Sequence, residues 1–98
     1  MNYTILEAIE EAKHMAEAKL IKAELTEACC EQEAYETEAM VAESELTYMV
    51  SDRPEAGYAL DKAYDLHDKA MREYYEAHEE VKNLRKVVEL LDQAGWYA

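Results

Sequence analysis

The 98-residue sequence predicts an all-α fold, an antiparallel two-helix coiled-coil hairpin that forms a single domain over residues 1–98. It holds only two Gly and one Pro, too few turn residues for an all-β domain. Half of its residues are apolar, more than a disordered chain would carry. These apolar residues recur at alternating steps of three and four, which is the spacing of a coiled-coil seam.

The first helix is predicted over about residues 4–50. Thr4 and Glu7 have the spacing of a capping box, in which each side chain satisfies a free backbone N–H group at the helix start. The best heptad seam of this helix is interrupted only by Gln32. It consists of Ala18, Ile21, Leu25, Ala28, Gln32, Tyr35, Ala39, Ala42, Leu46 and Met49.

The helix break is predicted at residues 51–57, which include Pro54 and Gly57. Proline disfavours helical geometry at the preceding residue but suits the first turn of a new helix. We therefore expect a turn over about residues 51–57 and a second helix over about residues 56–94.

The second helix carries the clearer seam, which runs over five heptads. Its members are Leu60, Ala63, His67, Ala70, Tyr74, Ala77, Val81, Leu84, Val88 and Leu91. Gly95 is placed to end this helix after Ala94 as a left-handed cap, which leaves a short tail over residues 95–98.

The two seams predict an antiparallel pairing that sets Met49 opposite Leu60 and Ala18 opposite Leu91. The many alanines would let the two backbones approach closely. In this pairing, residues before about Ala16 extend past the end of the second helix, and their apolar side chains need cover.

A second, weaker apolar seam lies beside the first on helix 1, with Lys13 and Glu27 as interruptions. It comprises Leu6, Ile9, Ala16, Leu20, Ala23, Cys30, Ala34, Val41 and Tyr48. One hairpin can cover only one of the two seams, and a two-helix core is thin. The uncovered seam therefore predicts either a homodimer that forms a four-helix bundle or docking of the hairpin on a partner protein. The residues expected to mediate self-association are Ile5, Leu6, Ile9, Leu20, Ala23 and Val41.

Acidic residues dominate the charge, with 23 Asp and Glu against 10 Lys and Arg and a formal net charge of -13. This balance excludes direct nucleic-acid binding, which needs a basic footprint.

A glutamate recurs every seven residues at Glu10, Glu17, Glu24, Glu31, Glu38 and Glu45. In the columns flanking the second seam, only Arg85 is a firm counter-charge, so these glutamates are expected to attract a basic protein surface. The predicted partner-binding residues are Glu10, Glu17, Glu24, Glu27, Glu31, Glu33, Glu36, Glu38, Glu43, Glu45, Tyr48 and Asp52.

Catalytic, metal and cofactor chemistry is not expected. Glu11 and His14 have the Glu-x-x-His spacing of di-metal carboxylate bundles, but no inward glutamate is expected opposite them. Cys29 and Cys30 are adjacent and point about 100° apart on a helix, so two reduced thiols are the simpler interpretation. No nucleophile has a base and an orienting group at a recognisable spacing, and no glycine-rich loop is present to hold phosphate.

These features predict a non-enzymatic, acidic protein-binding module that occupies a basic surface of a larger protein, such as a nucleic-acid-binding surface. In size, acidity and tyrosine content the sequence resembles small nucleic-acid-mimic inhibitors, of which phage anti-defence proteins are examples. The alternatives are a structural coiled-coil dimer or assembly subunit and, more distantly, a di-metal carboxylate bundle. We expect no membrane association and a cytoplasmic location, in the host cytoplasm if the protein is phage-encoded.

Overall fold

The computed structural model describes residues 4–97 and consists of two long helices. Helix α1 spans Ile5–Val50 and helix α2 spans Pro54–Tyr97, with residues 51–53 between them. The described residues contain no strand, and the predicted all-α helical hairpin is confirmed. The chain divides into two compact units, one formed by Met1–Glu27 and Ala77–Ala98 and the other by Ala28–Glu76.

Helix α1 begins as the sequence predicts, whereas α2 begins two residues before its predicted start at about residue 56. The backbone N–H of Glu7 donates to Thr4 Oγ1 at 3.1 Å, and the N–H of Ala8 donates to the Thr4 carbonyl at 3.1 Å. Pro54 is the first residue of α2, where its missing N–H group costs nothing. The predicted turn over residues 51–57 is therefore too long, because α2 starts before Glu55 and Gly57.

The predicted end of α2 at Ala94 is wrong. The helix continues through Gly95 to Tyr97, and no glycine in the described residues has a positive φ. A Cβ atom at Gly95 would lie 4.0 Å from Ile9 Cγ2, so this last turn packs beside the start of α1. The unpaired extension of α1 is shorter than predicted, although Ile5 and Leu6 stay exposed. Ala98 lies outside the described residues.

The unit Ala28–Glu76 packs through small and polar side chains from α1 against the predicted seam of α2. Its buried residues are Ala34, Thr37, Ala56, Ala63 and Ala70. Its half-buried residues include Cys30, Val41, Ser44, Leu60, His67 and Tyr74. Because so many of these side chains are small, close approach of the two backbones accounts for their burial.

The unit formed by Met1–Glu27 and Ala77–Ala98 has a similar core with larger side chains from α2. Ala16, Ala23, Ala77 and Val81 are buried, and Val81 is fully inaccessible. Half-buried residues around them include Ile9, Lys13, Leu20, Leu84, Val88 and Leu91. Every residue of the predicted α2 seam is thus buried or half-buried in one unit or the other.

The α1 seam predicted to pack against α2 is wrong, and the second, weaker seam packs instead. Ile21, Leu25, Tyr35, Leu46 and Met49 are between 63% and 79% exposed. The packed positions follow the predicted ones by two residues, so α1 is turned by about 200° about its axis relative to the prediction. Four of the residues predicted for self-association instead pack against α2 within the chain. They are Ile9, Leu20, Ala23 and Val41.

Three polar members of the packed α1 seam, Lys13, Glu27 and Thr37, explain this outcome, because each of the three has a partner on α2. Lys13 pairs with Asp92, and Glu27 Oε2 lies 2.9 Å from His78 Nδ1. Thr37 Oγ1 lies 2.9 Å from His67 Nδ1 and 3.0 Å from the carbonyl oxygens of Glu33 and Ala34. These residues therefore do not interrupt the seam.

Candidate protein-binding surface

The outward half of α1 carries two neighbouring columns of unlike character. The first, here called the acidic row, is Glu10, Glu17, Glu24, Glu31, Glu38 and Glu45. The second, here called the apolar stripe, is Ala18, Ile21, Leu25, Ala28, Tyr35, Ala39, Ala42, Leu46 and Met49, all of them exposed. At seven residues per two turns, the row lies about 75° from the packed seam and the centre of the stripe about 155° from it. The acidic row therefore runs between the packed seam and the apolar stripe.

Near the chain ends, the acidic row is partly neutralised. Arg85 Nη2 lies 3.9 Å from Glu24 Oε2, which confirms Arg85 as a counter-charge. Lys13 lies 3.8 Å from Glu17 and also donates a hydrogen bond to Asp92. That hydrogen bond, with the nearby negative charges, raises the pKa of the Lys13 ammonium above its ordinary value.

In the unit Ala28–Glu76, the acidic row has fewer internal partners. Glu45 Oε1 accepts a hydrogen bond from the Tyr64 hydroxyl at 2.5 Å, and this bond is the main cause that raises the pKa of Tyr64. Glu31 and Glu38 make no hydrogen bond or ion pair with another described residue. Their carboxylates are therefore available to an external cation.

Glu31 and Glu38 border an open groove of about 160 Å³ in the same unit. Its other lining residues are Ala34, Tyr35, Met71 and Tyr74. The groove combines two carboxylates with an apolar wall and two tyrosine rings. Such a setting suits a long basic side chain, whose methylene stem packs on apolar atoms while its charged end reaches the carboxylates.

Other acids extend this surface, and some predicted residues do not belong to it. Glu36 and Glu43 follow the apolar stripe along its other edge, so between residues 31 and 45 acids lie on both sides of the stripe. Glu27 is a seam residue held by His78. Glu33 lies on the opposite side of the packed seam from the acidic row, between the seam and the column of Glu36 and Glu43. Asp52 lies in the connection between the helices.

Tyr48 lies in the column of the packed seam at the end of α1 rather than in the acidic row. Its ring would be 3.5 Å from a Cβ atom placed on Gly57. Although the residue is 54% exposed, its column is that of the packed seam and not of the outward surface.

The apolar residues of this surface were missed as binding residues, because the sequence assigned them to the hairpin core. The signal that could have identified them is the matching of polar seam residues across the helices. Lys13, Glu27 and Thr37 each meet a polar residue of α2, which marks the other apolar column as outward.

The charge of the unit Ala28–Glu76 reinforces the local geometry. Its residues include thirteen acids and four bases, a formal charge of -9, whereas the other unit carries -4. An imbalance of this size attracts basic groups and repels nucleic acid.

Metal and thiol chemistry has little support in the described residues. They contain no group of three or more His, Cys, Asp or Glu arranged to hold a metal ion, and Glu11 and His14 are both exposed. Cys29 and Cys30 are free thiols. Burial, followed by the charges of nearby glutamates, raises the pKa of Cys30. Neither described helix has an apolar stretch long enough to cross a bilayer.

Comparisons with protein-family models, with curated proteins and with solved structures found no match to this chain.

Proposed function

We propose that this protein is a non-enzymatic binding module that uses the outward surface of α1 to occupy a basic surface of a larger protein. The observation that carries the proposal is the exposed apolar stripe with the acidic row along its edge. Both elements lie on helix α1.

The exposed apolar area supports a protein target. Large side chains such as Leu25, Tyr35 and Leu46 are more than 60% exposed and recur along one face of α1. Contiguous apolar surface of this kind is uncommon on soluble monomers and is typical of protein-binding sites. The stripe includes Tyr35 and Met49, residue types that are enriched in protein interfaces.

The acidic row supports a basic target. Across residues 28–50 the helix has six acids and no Lys or Arg, so its neutralisation must come from outside this segment. A target with Lys and Arg around an apolar patch would satisfy both columns. Forming ion pairs requires the charged groups of both proteins to lose water, which costs free energy. Burial of apolar surface in the same interface would offset part of that cost, whereas a purely charged interface would lack this contribution.

Competition with nucleic acid follows from the charge of the target. A basic surface that accepts the acidic row would be hindered from binding phosphates at the same time. Carboxylates seven residues apart are about 10 Å apart along the helix, wider than adjacent phosphates of one strand. The proposal is therefore occupation of a basic surface rather than an atom-by-atom copy of a nucleic-acid strand.

The second candidate function, a structural coiled-coil dimer, also uses the apolar stripe. A compact four-helix bundle requires each helix to contact two neighbours at roughly a right angle. On α1 the stripe lies about 155° from the packed seam, and the columns nearer a right angle are largely polar. The position of the stripe therefore favours docking of a partner's helix or surface on the outward side of α1 over a compact four-helix bundle of two hairpins.

The test is affinity capture from lysate of the source organism, with a variant in which Glu24, Glu31, Glu38 and Glu45 are changed to Gln. The matched control changes four exposed glutamates of α2 to Gln, which gives the same change in net charge. These are Glu76, Glu79, Glu80 and Glu89. We expect the wild type and the α2 control to capture a basic protein that moderate salt and added duplex nucleic acid both release. Equal capture by the acidic-row variant, or self-association alone, would contradict the proposal.

A further inference from the structure

We propose that the occupant of the apolar stripe is a single amphipathic α-helix of the partner protein, with Lys or Arg on both sides of its apolar face. This rests on the proposed function and specifies the kind of basic surface that α1 binds. The geometry of the stripe, the acids along its edges and the groove beside it each support a helical occupant.

The spacing of the apolar stripe favours a helix. Its members follow alternating steps of three and four along α1, interrupted only by Gln32. A partner can match this repeat over several turns only if its own side chains recur at the same spacing, as in a coiled coil. Large side chains such as Leu25 and Leu46 would fit between those of the partner. Small ones such as Ala28 and Ala39 leave room for large side chains of the partner helix.

The edges of the stripe define the charge of that helix. Glu31, Glu38 and Glu45 lie along one edge, and Glu36 and Glu43 along the other. A coiled-coil partner places its own flanking residues beside these edges, so acids there select Lys or Arg. Neutral or acidic flanks on the partner would leave this segment of α1 without counter-charge.

A second copy of this chain does not fit the charge of the stripe. In an antiparallel pair related by a two-fold axis, the acidic row of one copy would face the acidic row of the other. In a parallel pair, the acidic row would face the column on the far side of the stripe. That column is Met15, Lys22, Cys29, Glu36, Glu43 and Val50, which supplies one basic residue. Both arrangements place like charges together, which disfavours self-pairing.

The groove between Glu31 and Glu38 gives the basic flank a specific contact. A Lys or Arg side chain entering from a helix on the stripe would pass over Tyr35 and reach both carboxylates. Met71 would contact its methylene groups. A guanidinium can also stack on a tyrosine ring, and charge-assisted hydrogen bonds to two carboxylates are strong.

The test uses the 98-residue chain and three synthetic peptides of about 28 residues, long enough for four heptads. The first peptide has a Leu and Ala stripe at heptad spacing with Arg flanks. The second has the same composition in scrambled order, and the third replaces Arg by Glu. Binding is measured by titration calorimetry at two salt concentrations, with sedimentation of the protein alone to report self-association.

Three protein variants locate the site. Leu25→Gln with Leu46→Gln removes apolar contacts at exposed positions, and Glu31→Gln with Glu38→Gln removes the groove carboxylates. Glu76→Gln with Glu79→Gln on α2 is the charge-matched control. We expect the ordered Arg peptide to bind at least about tenfold more tightly than the scrambled one, since only it can bury the stripe. Each of the first two variants should weaken binding by about tenfold or more, whereas the control should not.

The outcomes separate the inference from the proposed function. Equal binding of the ordered and scrambled Arg peptides, weakened by the Glu31 and Glu38 changes, would overturn the helical occupant but retain a basic target. Absence of binding by either basic peptide, or binding that the acidic-row changes leave intact, would contradict both. A stable dimer of the protein alone, disrupted by the Leu25 and Leu46 changes, would assign the stripe to a second copy and overturn the inference.

Discussion

The contact between Thr37 and His67 tests which face of α1 packs against α2. Thr37 is 7% exposed, and its hydroxyl oxygen lies 2.9 Å from His67 Nδ1. The carbonyls of Glu33 and Ala34, each 3.0 Å away, can only accept, so the hydroxyl proton can point to one of them while its oxygen accepts from the Nδ1–H group of His67. Replacing Thr37 by Val keeps the β-branched shape and removes these bonds.

The expected loss of stability in Thr37→Val depends on the His67 ring, which loses its hydrogen-bond partner. A net hydrogen bond contributes about 1 kcal/mol, and an unpaired buried partner costs about 1–3 kcal/mol. His67 is half-buried, so water can replace part of the lost interaction. We expect Thr37→Val to reduce the free energy of unfolding by about 1–1.5 kcal/mol. For a chain of this length, each 1 kcal/mol corresponds to a Tm decrease of roughly 4–8 °C.

The matched control is Thr26→Val on the same helix. The Thr26 hydroxyl also bonds to a carbonyl four residues earlier, at 3.1 Å from Lys22 O, but it is exposed and has no hydrogen bond to α2 among the described residues. We expect a change within about 0.5 kcal/mol. Urea and thermal unfolding followed by circular dichroism measure both variants. Equal losses, or a larger loss from Tyr35→Ala than from Thr37→Val, would refute the packing of the Thr37 face.

Three further predictions concern the core, a helical glycine and a thiol. Val81→Ala should cost about 2 kcal/mol because Val81 is fully buried, whereas Val87→Ala, at a position 43% exposed, should cost less than about 0.5 kcal/mol in the same unfolding assay. Gly57→Ala should raise stability by about 0.5–1 kcal/mol, since Gly57 is helical and the new methyl group meets only ordinary van der Waals contact; a lower Tm would contradict this. In a Cys29→Ala variant, the remaining Cys30 should react with a thiol reagent more slowly at pH 8 in the folded protein than in urea, because burial raises its pKa and keeps the thiol protonated. Equal reaction rates in the folded protein and in urea would count against the burial of Cys30. The raised pKa also links Cys30 to stability: its contribution is present below the pKa of the unfolded thiol and is lost as the pH rises through the pKa of the folded thiol.

The sequence predicted α2 better than α1, for a physical reason. The α2 seam has ten positions, nine of them apolar or aromatic, and no competing column of similar quality. The antiparallel direction was also predicted, but the predicted register, Met49 opposite Leu60 and Ala18 opposite Leu91, is wrong. Met49 is 79% exposed, and the packed seam sets Lys13 against Asp92 and Thr37 against His67, a shift of four or five residues. The start of α1 and the position of the helix break were also predictable, since Thr4 and Pro54 act through local backbone chemistry.

The packed face of α1 could not be chosen by counting apolar residues. Helix 1 offers two columns at heptad spacing, and the one richer in large apolar residues lies outward. The choice depends on pairs across the two helices, such as Lys13 with Asp92 and Glu27 with His78, which a single-helix pattern does not contain. The acidic row was visible in the sequence, but its position beside an exposed apolar stripe depends on the rotation of α1.

Hydroxyl-radical footprinting of the isolated protein, with and without the ordered Arg peptide, measures whether the apolar stripe is an unoccupied binding surface. We predict rapid modification of Leu25, Tyr35 and Leu46 in the free protein and slow modification of Val81. The peptide should then protect the three stripe residues and leave Tyr75, an exposed residue of α2, unchanged. Protection of the stripe in the free protein, or its continued modification at saturating peptide, would contradict a docking role for this surface.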